Sequence, residues 1–446
     1  MTHTIHTSSQ RAPRKMSRRE FLRAAAAAGL GIAGSRLSGS VVPHAKAKSV
    51  IQIWMWGGPS HLDTFDPKPD AGYDYRGPYD KAIPTSALGV EMCAGLPLLA
   101  ERAHLFSILR GMTHGNNGHE TASYMVQTGR MPGDGIDYPG AGAVVSYFKG
   151  YAGGYKGLIP PYIVMTQLQG RFSESGFLGN ASRPFATGGN PGAPRFEVEG
   201  VVAKNISGER QIQRKTLLRN LDSFGSLISG VPAYAKSLQS EEEAWELITG
   251  DSGKIFDLNT TDRQTREAYG MNKFGQSCLA ARRLVEYGVP WITINYEGWD
   301  THKNHFEEMR RKLPELDKGL SSLIDDLSRT GLLDSTIIWW GGEFGRTPRV
   351  DWDPPWSGGR SHYGPAFSSM LAGGGFKGGI ALGATDARGE EVRDRPVYPW
   401  DMISSIYRQM GIDLNAVIPH PRGFDVRITP ESALKLPSGG LLDELV

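Results

Sequence analysis

An α/β fold, with helices covering both faces of a mostly parallel sheet, is predicted by two observations. Short apolar runs alternate along the chain with longer amphipathic segments, and several runs empty directly into glycine-rich loops, where proteins of this class place ligands. The 39% hydrophobic content of the 446 residues suffices for a large core. The 57 glycines and 28 prolines punctuate apolar runs without a fixed period, which excludes a collagen-like or disordered chain. No linker marks a second domain, so residues 48–446 are read as one three-layer α/β/α sandwich.

Ser49 to Trp54 is the first predicted strand, and it runs straight into Gly57-Gly58-Pro59. Leu96 to Leu109 reads as a helix or turn followed by a short strand. Glu120 to Gln127 is a helix ended by Gly129, and Tyr162 to Thr166 a second full strand. Between Arg171 and Glu199 the chain is rich in Gly, Ser, Asn and Pro, with Phe172, Phe177, Phe185 and Phe196 spaced through it; this is expected to be a long ordered loop or cap over the site. Helical periodicity covers Glu209 to Ile248 and Gln264 to Tyr287, the latter closed by Gly288. Trp291 to Asn295 is a strand. His305 to Thr330 is an amphipathic helix, with Pro314 as a kink or break. Ser335 to Trp340 and Phe367 to Ala372 complete the predicted strands.

The N-terminal 47 residues stand apart. They hold eight Lys/Arg and one acid, Glu20, and removing that excess of seven positive charges from the net +2 of the whole leaves about −5. A mature chain of that sign argues against nucleic acid as the partner. Ser17-Arg18-Arg19-Glu20-Phe21-Leu22, the apolar stretch Ala24 to Ala33 and the small-residue site Ala45-Lys46-Ala47 have the pattern of a twin-arginine export signal. Residues 1–47 are therefore expected to be removed, with Met16 as an alternative start. The twin-arginine translocase is the export partner, and the mature chain is periplasmic or extracellular. No later stretch is long and apolar enough to span a bilayer. Cys93 and Cys278, the only cysteines, are either one disulfide or two buried thiols.

Candidate chemistry lies in four short stretches next to predicted strand ends, which hold six of the eight histidines beyond the leader. His61 and Asp63 follow the first strand and suit a metal, although Asp63 and Asp66 also suit turn capping. His114 and His119 flank a Gly-Asn loop at a helix start, where free N–H groups favour an oxyanion and a His can act as ligand or nucleophile. Asp300, His302 and His305 lie within six consecutive residues, a mixed imidazole and carboxylate set that suits zinc-like ions. Glu343 with His362 would complete a metal site, and Arg346 or Arg360 would hold an anion bidentately. The structural alternative is that Glu343 pairs with Arg346.

The motifs Gly-Gly-Pro-Ser-His61-Leu-Asp63-Thr-Phe-Asp66, Gly298-Trp-Asp300-Thr-His302, Gly342-Glu343-Phe-Gly-Arg346-Thr-Pro348 and Leu371-Ala-Gly-Gly-Gly-Phe-Lys-Gly-Gly379 resemble domain-of-unknown-function family 1501 over nearly everything after Ala47. That family is similar to the sulfatase and alkaline phosphatase superfamily, whose α/β/α fold carries metal ligands at strand ends. Met125-Val-Gln-Thr128-Gly129-Arg130-Met-Pro132 resembles the segment after the sulfatase nucleophile, and counting back reaches His119, where that superfamily has Cys, Ser or Thr. There is no Cys-x-Pro-x-Arg, and Glu343-Phe344 replaces the usual Asp-His pair. Neither a formylglycine mechanism nor a two-metal site is expected on this reading.

The expected function is an exported, metal-dependent hydrolase of sulfate or phosphate esters, with polysaccharide as a candidate carrier. The resemblance implies a divalent metal, zinc first, manganese or calcium otherwise, bound by His61, Asp63, Asp300, His302, His305, Glu343 and His362. His119 would be nucleophile or general acid, and Arg346 or Arg360 would neutralise developing charge. The alternative is a non-catalytic protein of the same fold that binds a glycan or another exported protein. It rests on the missing hydroxyl or thiol nucleophile and on Trp352, Trp356 and Tyr363. A third reading has these residues as hydrogen-bonded loop structure alone.

Overall fold

The computed structural model describes residues 45–168, 174–198, 201, 208–221, 251–430 and 435–446. Residues 1–44 of the predicted leader and most of the helical stretch from Glu209 to Ile248 lie outside them; the last three leader residues, 45–47, are described, as is a helix, Gly208–Leu221.

The main sheet has eight strands: β1 (Ser49–Trp54), β2 (Phe106–Met112), β3 (Tyr162–Met165), β4 (Phe185–Ala186), β5 (Trp291–Asn295), β6 (Thr336–Gly341), β7 (Phe367–Ala372) and β8 (Ala381–Leu382). Their spatial order is β8-β2-β7-β6-β1-β5-β3-β4. β7 is antiparallel to both its neighbours, β2 and β6, and every other pair is parallel. Central β1 sits between β5 and β6, with Val50 opposite Trp291 on one side and Ile337 on the other. Both its faces are covered, which is why Ser49–Trp54 reads as a continuous buried run and not as an alternation.

Helices longer than one turn are α1 (His119–Thr128), α2 (Ala141–Lys149), α3 (Gly208–Leu221), α4 (Arg263–Tyr269), α5 (Lys273–Glu286), α6 (His305–Arg329) and α7 (Pro399–Gln409). Successive strand residues point to opposite faces, and the core divides accordingly. Ile51, Ile53, Ile292, Ile294, Ile338 and Trp340 pack with α5 and with the Leu313, Leu316, Leu320, Leu323 and Leu327 stripe of α6. Val50, Trp54, Trp291, Ile337 and Trp339 pack instead with Val126 of α1, Val144 of α2 and Met402, Ile403 and Ile406 of α7. The result is the three-layer sandwich expected.

The mostly parallel sheet is borne out, and several finer expectations are settled or changed. The sheet is mixed at β7, because β6 and β7 are joined on the same edge and not by a crossover helix. Gln264 to Tyr287 is two helices: Gly270 turns the chain at φ 92°, and the Asn272 side chain accepts from the Gly275 N–H to start α5 afresh at 2.8 Å. The phenylalanines between Arg171 and Glu199 do not cap the site. Phe196 is buried in one core layer, Phe185 packs on its edge in β4, and Phe177 packs on the other layer, while Phe172 lies outside the described residues. Cys93 and Cys278 are buried free thiols, and burial pushes the Cys93 thiol up to about 12. Pro314 lies inside α6 without ending it.

One polar chain crosses the second core layer. Trp291 Nε1 donates to Thr293 Oγ1 (3.0 Å), Thr293 Oγ1 donates to Gln52 Oε1 (2.9 Å), and Gln52 Nε2 donates to Gln127 Oε1 (3.0 Å). It ties β5 and β1 to α1, the helix that begins at His119. Gln52→Leu leaves the buried Gln127 oxygen and Thr293 hydroxyl without these partners, and each such group costs roughly 1–3 kcal/mol. Chemical denaturation should show a loss of that order; an unchanged midpoint would mean that water replaces the chain.

Candidate metal centre

The sheet's twist and parallel connections bring the loops after β1, β2, β5 and β6 to one edge, and the approach to β7 joins them there. β1 leads into Trp56-Gly57-Gly58. Gly57 is held at φ 107°, and a Cβ there would stand 2.2 Å from the Asp300 nitrogen, so the loops after β1 and β5 touch backbone to backbone. The loop after β2 ends at Gly118, and α1 starts with His119 itself. The loop after β6 carries Glu343, and Arg346 faces His362 in a two-residue antiparallel pair just before β7.

Three of the expected residues meet at the centre of this edge. Ligand-type atoms of His119, Asp300 and His362 all lie within 4.8 Å of one another. His119 Nε2 is 3.3 Å from Asp300 Oδ2, and its Nδ1 is 2.7 Å from Glu343 Oε1. Asp300 Oδ1 is 3.1 Å from both His302 Nε2 and His362 Nε2, and those two nitrogens are 2.9 Å apart. The His362 Nδ1 is 2.8 Å from the Asn117 carbonyl. A carbonyl only accepts, so that nitrogen carries the proton and Nε2 presents a lone pair inward.

Arg346 frames this centre. It is fully buried, donates Nη2 to Asp300 Oδ1 at 2.5 Å, and gives its other hydrogen bonds to the carbonyls of Gly57, Gly58 and Arg360. With every nitrogen engaged by the protein, it braces the loops and does not face a substrate. Glu343 is also fully buried; its Oε1 accepts from the Gly57 N–H at 3.0 Å as well as meeting His119, while its Oε2 has no hydrogen-bond partner.

His61, Asp63, His305 and Arg360 lie apart from that convergence. Arg360 Nε and His305 Nε2 each stand 2.8 Å from Asp63 Oδ2 in a fully buried cluster. Arg360 Nη2 also reaches Asp63 Oδ1 at 3.4 Å, and its other hydrogen bonds go to the carbonyls of Tyr75, Thr347 and Pro348. His305 Nδ1 is 2.6 Å from the Thr301 hydroxyl, so both ring nitrogens are used within the protein. His61 Nε2 meets the Gly389 carbonyl at 2.8 Å. His114 bridges the Glu343 carbonyl and the Asn116 N–H. The convergence therefore holds His119, Asp300, His302 and His362, with Glu343 and Arg346 behind them.

Sequence reasoning missed two contributors. Trp56 stacks on the His119 ring with centroids 5.6 Å apart, and the Asn117 carbonyl orients His362. Trp56 sits two residues beyond the predicted strand in the glycine-rich loop, which was a positional hint; a backbone carbonyl leaves no residue-type signature. Beside the first turn of α1 lies an open cleft of about 560 Å³ lined by Glu120, Thr121, Tyr124 and parts of the 132–137 loop. It supplies none of the converging donors.

Charge follows geometry. Hydrogen bonds to Asp300 and then Glu343 raise the His119 pKa to about 9. Burial would lift Asp300, but the His119 hydrogen bond and the Arg346 charge hold it well below the carboxylate range. Burial keeps His302 below the usual imidazole value. Burial also works against ionised Asp63, yet Arg360 and His305 hold it down at about 2.

The donor set fits a divalent ion. Each of His119 and His362 has Nδ1 turned to an oxygen, a carboxylate in one case and a carbonyl in the other, which leaves Nε2 for a metal. That is the usual support of a metal-bound imidazole. Without a cation, the Asp300 oxygens face ring nitrogens whose lone pairs need a proton between them.

Residues 47–436 match the family described as "Protein of unknown function (DUF1501)", and the chain belongs to it. No curated protein matches the chain. Among solved structures it is similar to a protein in the alkaline phosphatase superfamily from Vibrio parahaemolyticus, at 12% identity and TM-score 0.36, over 95% of this chain and 79% of that one. PsFucS1 sulfatase from Pseudoalteromonas sp. matches at 12% identity and TM-score 0.35, over 89% and 72%. The alkaline phosphatase from the Antarctic bacterium TAB5 matches at 10% identity and TM-score 0.33, over 74% and 92%. At these levels nothing of their chemistry transfers to this chain.

Two outcomes follow from the charges. In metal-free protein, NMR titration of His119 should give a pKa of about 9, against an ordinary 6.5, and Asp300→Ala should bring it down. Because the pairing raises this pKa, its stabilisation is complete below 6.5 and disappears as pH climbs through about 9. A wild-type value near 6.5 would contradict the paired geometry. Asp63→Asn strands the Arg360 charge and should lower stability by roughly 3–5 kcal/mol. The Asp63 contribution is present above the ordinary 3.8 and is lost as pH falls through about 2, so the difference from wild type should shrink in strong acid.

Proposed function

We propose that the chain is an exported, metal-dependent hydrolase of sulfate or phosphate esters, with an ester-bearing polysaccharide as its candidate substrate. The observation that carries this reading is the convergence of His119, Asp300 and His362 with both histidines oriented from behind. His302 stands beside them, with its Nε2 3.1 Å from Asp300 Oδ1. Residues 48–446 act on this reading as one domain, delivered by the twin-arginine translocase and released from its leader outside the cytoplasm. Among the described residues no helix is long and apolar enough to cross a membrane.

A divalent ion, zinc first and manganese or calcium otherwise, would polarise the ester oxygen. The chain does the rest. Glu343 Oε1 holds the His119 Nδ1 proton and so fixes the ring, with Trp56 stacked against it. Arg346 fixes the Asp300 carboxylate and keeps it ionised. His119 has both nitrogens engaged, by Glu343 and at the centre, so it serves as a ligand and not as a nucleophile; attack then falls to water. His302, partly exposed and held neutral by burial, can take the proton from that water at Nε2. The cleft beside α1 has room for the group carrying the ester.

The rival reading, a protein that binds a glycan without turnover, is favoured by one observation. Trp356 is 41% exposed, with its ring centroid 6.4 Å from that of His302 and Lys303 Nζ 5.8 Å from its own.

Elemental analysis of the purified protein should find stoichiometric divalent metal in wild type and none in Asp300→Ala, with hydrolysis of aryl sulfate or aryl phosphate lost alongside it. Glu343→Gln should weaken metal affinity by roughly 10–100-fold, since it removes the carboxylate behind His119. Metal-free wild type would overturn the hydrolase reading, and bound metal with no ester turnover would favour the glycan binder.

A further inference from the structure

The approach to β7 lays a second feature against the metal centre. Residues 356–360 run beside residues 301–305 and are joined to them by three backbone hydrogen bonds, from the Asn304 N–H to the Trp356 carbonyl (3.2 Å), from the His305 N–H to the Gly358 carbonyl (3.3 Å) and from the Arg360 N–H to the Thr301 carbonyl (3.1 Å). Gly359 makes this approach possible, because a Cβ there would collide with the His302 carbonyl. The ladder fixes Trp356 on the rim of the centre. Its ring centroid lies 6.4 Å from that of His302, whose Nε2 is 3.1 Å from Asp300 Oδ1.

Trp356 is the one exposed tryptophan among the described residues, at 41%, whereas Trp54, Trp291, Trp299, Trp339 and Trp340 are each 1% exposed or less. Its surroundings are polar. Lys303, Asn304 and Ser357 are exposed, and Lys303 Nζ stands 5.8 Å from the ring centroid, with no carboxylate at salt-bridge distance among the described residues. A protein partner or a bilayer calls for a contiguous apolar patch, and one ring set among polar groups does not supply it. A pyranose fits such a place. Its C–H groups make one face apolar, and its hydroxyls leave from the edge, where polar neighbours can meet them. The cleft beside α1, which the proposed function assigns to the group carrying the ester, is lined by other residues.

We propose that Trp356 forms a sugar-binding subsite, on which a pyranose ring stacks while Lys303 and Asn304 serve the hydroxyls at its edge. The sugar held there is the neighbour of the one whose ester reaches the centre, so the substrate class is a glycan of two or more sugars and not a free monosaccharide ester. This deepens the reading of the chain as a polysaccharide ester hydrolase and rests on it. The subsite holds the glycan, and the metal centre acts on the ester. Because the backbone ladder ties Trp356 to the segment that carries His302, the bound ring sits at a fixed distance from the centre.

The test is saturation-transfer NMR with the methyl pyranosides of glucose, galactose, mannose, N-acetylglucosamine and glucuronic acid, on wild type, Trp356→Ala and Trp356→Phe. At least one glycoside should receive saturation on the C–H groups of one ring face in wild type, lose it in Trp356→Ala and regain it in Trp356→Phe. The measurement needs neither metal nor turnover, so it stands apart from the test of the hydrolase. No glycoside contact in wild type, or contact that survives Trp356→Ala, would overturn the subsite even in a protein that holds metal and cleaves aryl esters. Contact that depends on Trp356 in a protein without metal would support the subsite while the hydrolase reading failed.

Discussion

The Arg346 guanidinium is the contact on which the site depends. One buried cation draws in the carbonyls of Gly57 and Gly58 after β1, the carbonyl of Arg360 before β7, and the Asp300 carboxylate after β5. A guanidinium has five N–H donors in a rigid plane, so it fixes relative position in a way that a lysine would not. The loops it joins are those that must close to within hydrogen-bond distance for His119, Asp300 and His362 to converge. A buried charge is stabilising only when fully satisfied, and the close approach of Gly57 to Asp300 is what lets the carbonyls reach it.

Two arginine-carboxylate pairs sit side by side here with different fates. Asp63 with Arg360 is sealed, and neither side chain exceeds 1% exposure. Asp300 with Arg346 is open on the acid side, where the Asp300 side chain is 41% exposed. The sealed pair is a brace, since burial and partners leave it no free valence. The open pair keeps a carboxylate oxygen turned to the outside beside three imidazoles. Membership of a His-rich motif did not separate these roles; burial does, and burial of a single side chain is a tertiary property.

The strands were legible because a strand covered on both faces is written as an unbroken apolar run. Ser49–Trp54 and Phe367–Ala372 have the predicted bounds, and Trp291–Asn295 does too. Direction was not legible: nothing in the apolar run Phe367–Ala372 marks it as antiparallel to both its neighbours, and only the edge on which it is entered makes it so. Gly270 and Asn272 wrote the break between α4 and α5 in plain residue types, but the periodicity on either side masked it. At this end of the sheet, four of the clustered residues, His119, Asp300, His302 and His362, do come together. The clustering did not say that Asp63 and His305 would find each other, because their partner Arg360 lies almost three hundred residues from Asp63 in the chain.

The antiparallel entry of β7 has a kinetic consequence. Since β6 leaves the sheet and β7 returns to it on the same edge, residues 342–366 form an excursion that never crosses a face of the sandwich. Glu343, Arg346, Arg360 and His362 all ride on it. Such a segment is anchored by its buried arginines, Arg346 and Arg360, so loss of their bonds would free it while both helical layers stay packed. Its opening would carry Glu343, His362 and both buried arginines away from the other loops in one event. Backbone amides of this segment should therefore exchange with solvent by local opening of the excursion and not by global unfolding of the domain.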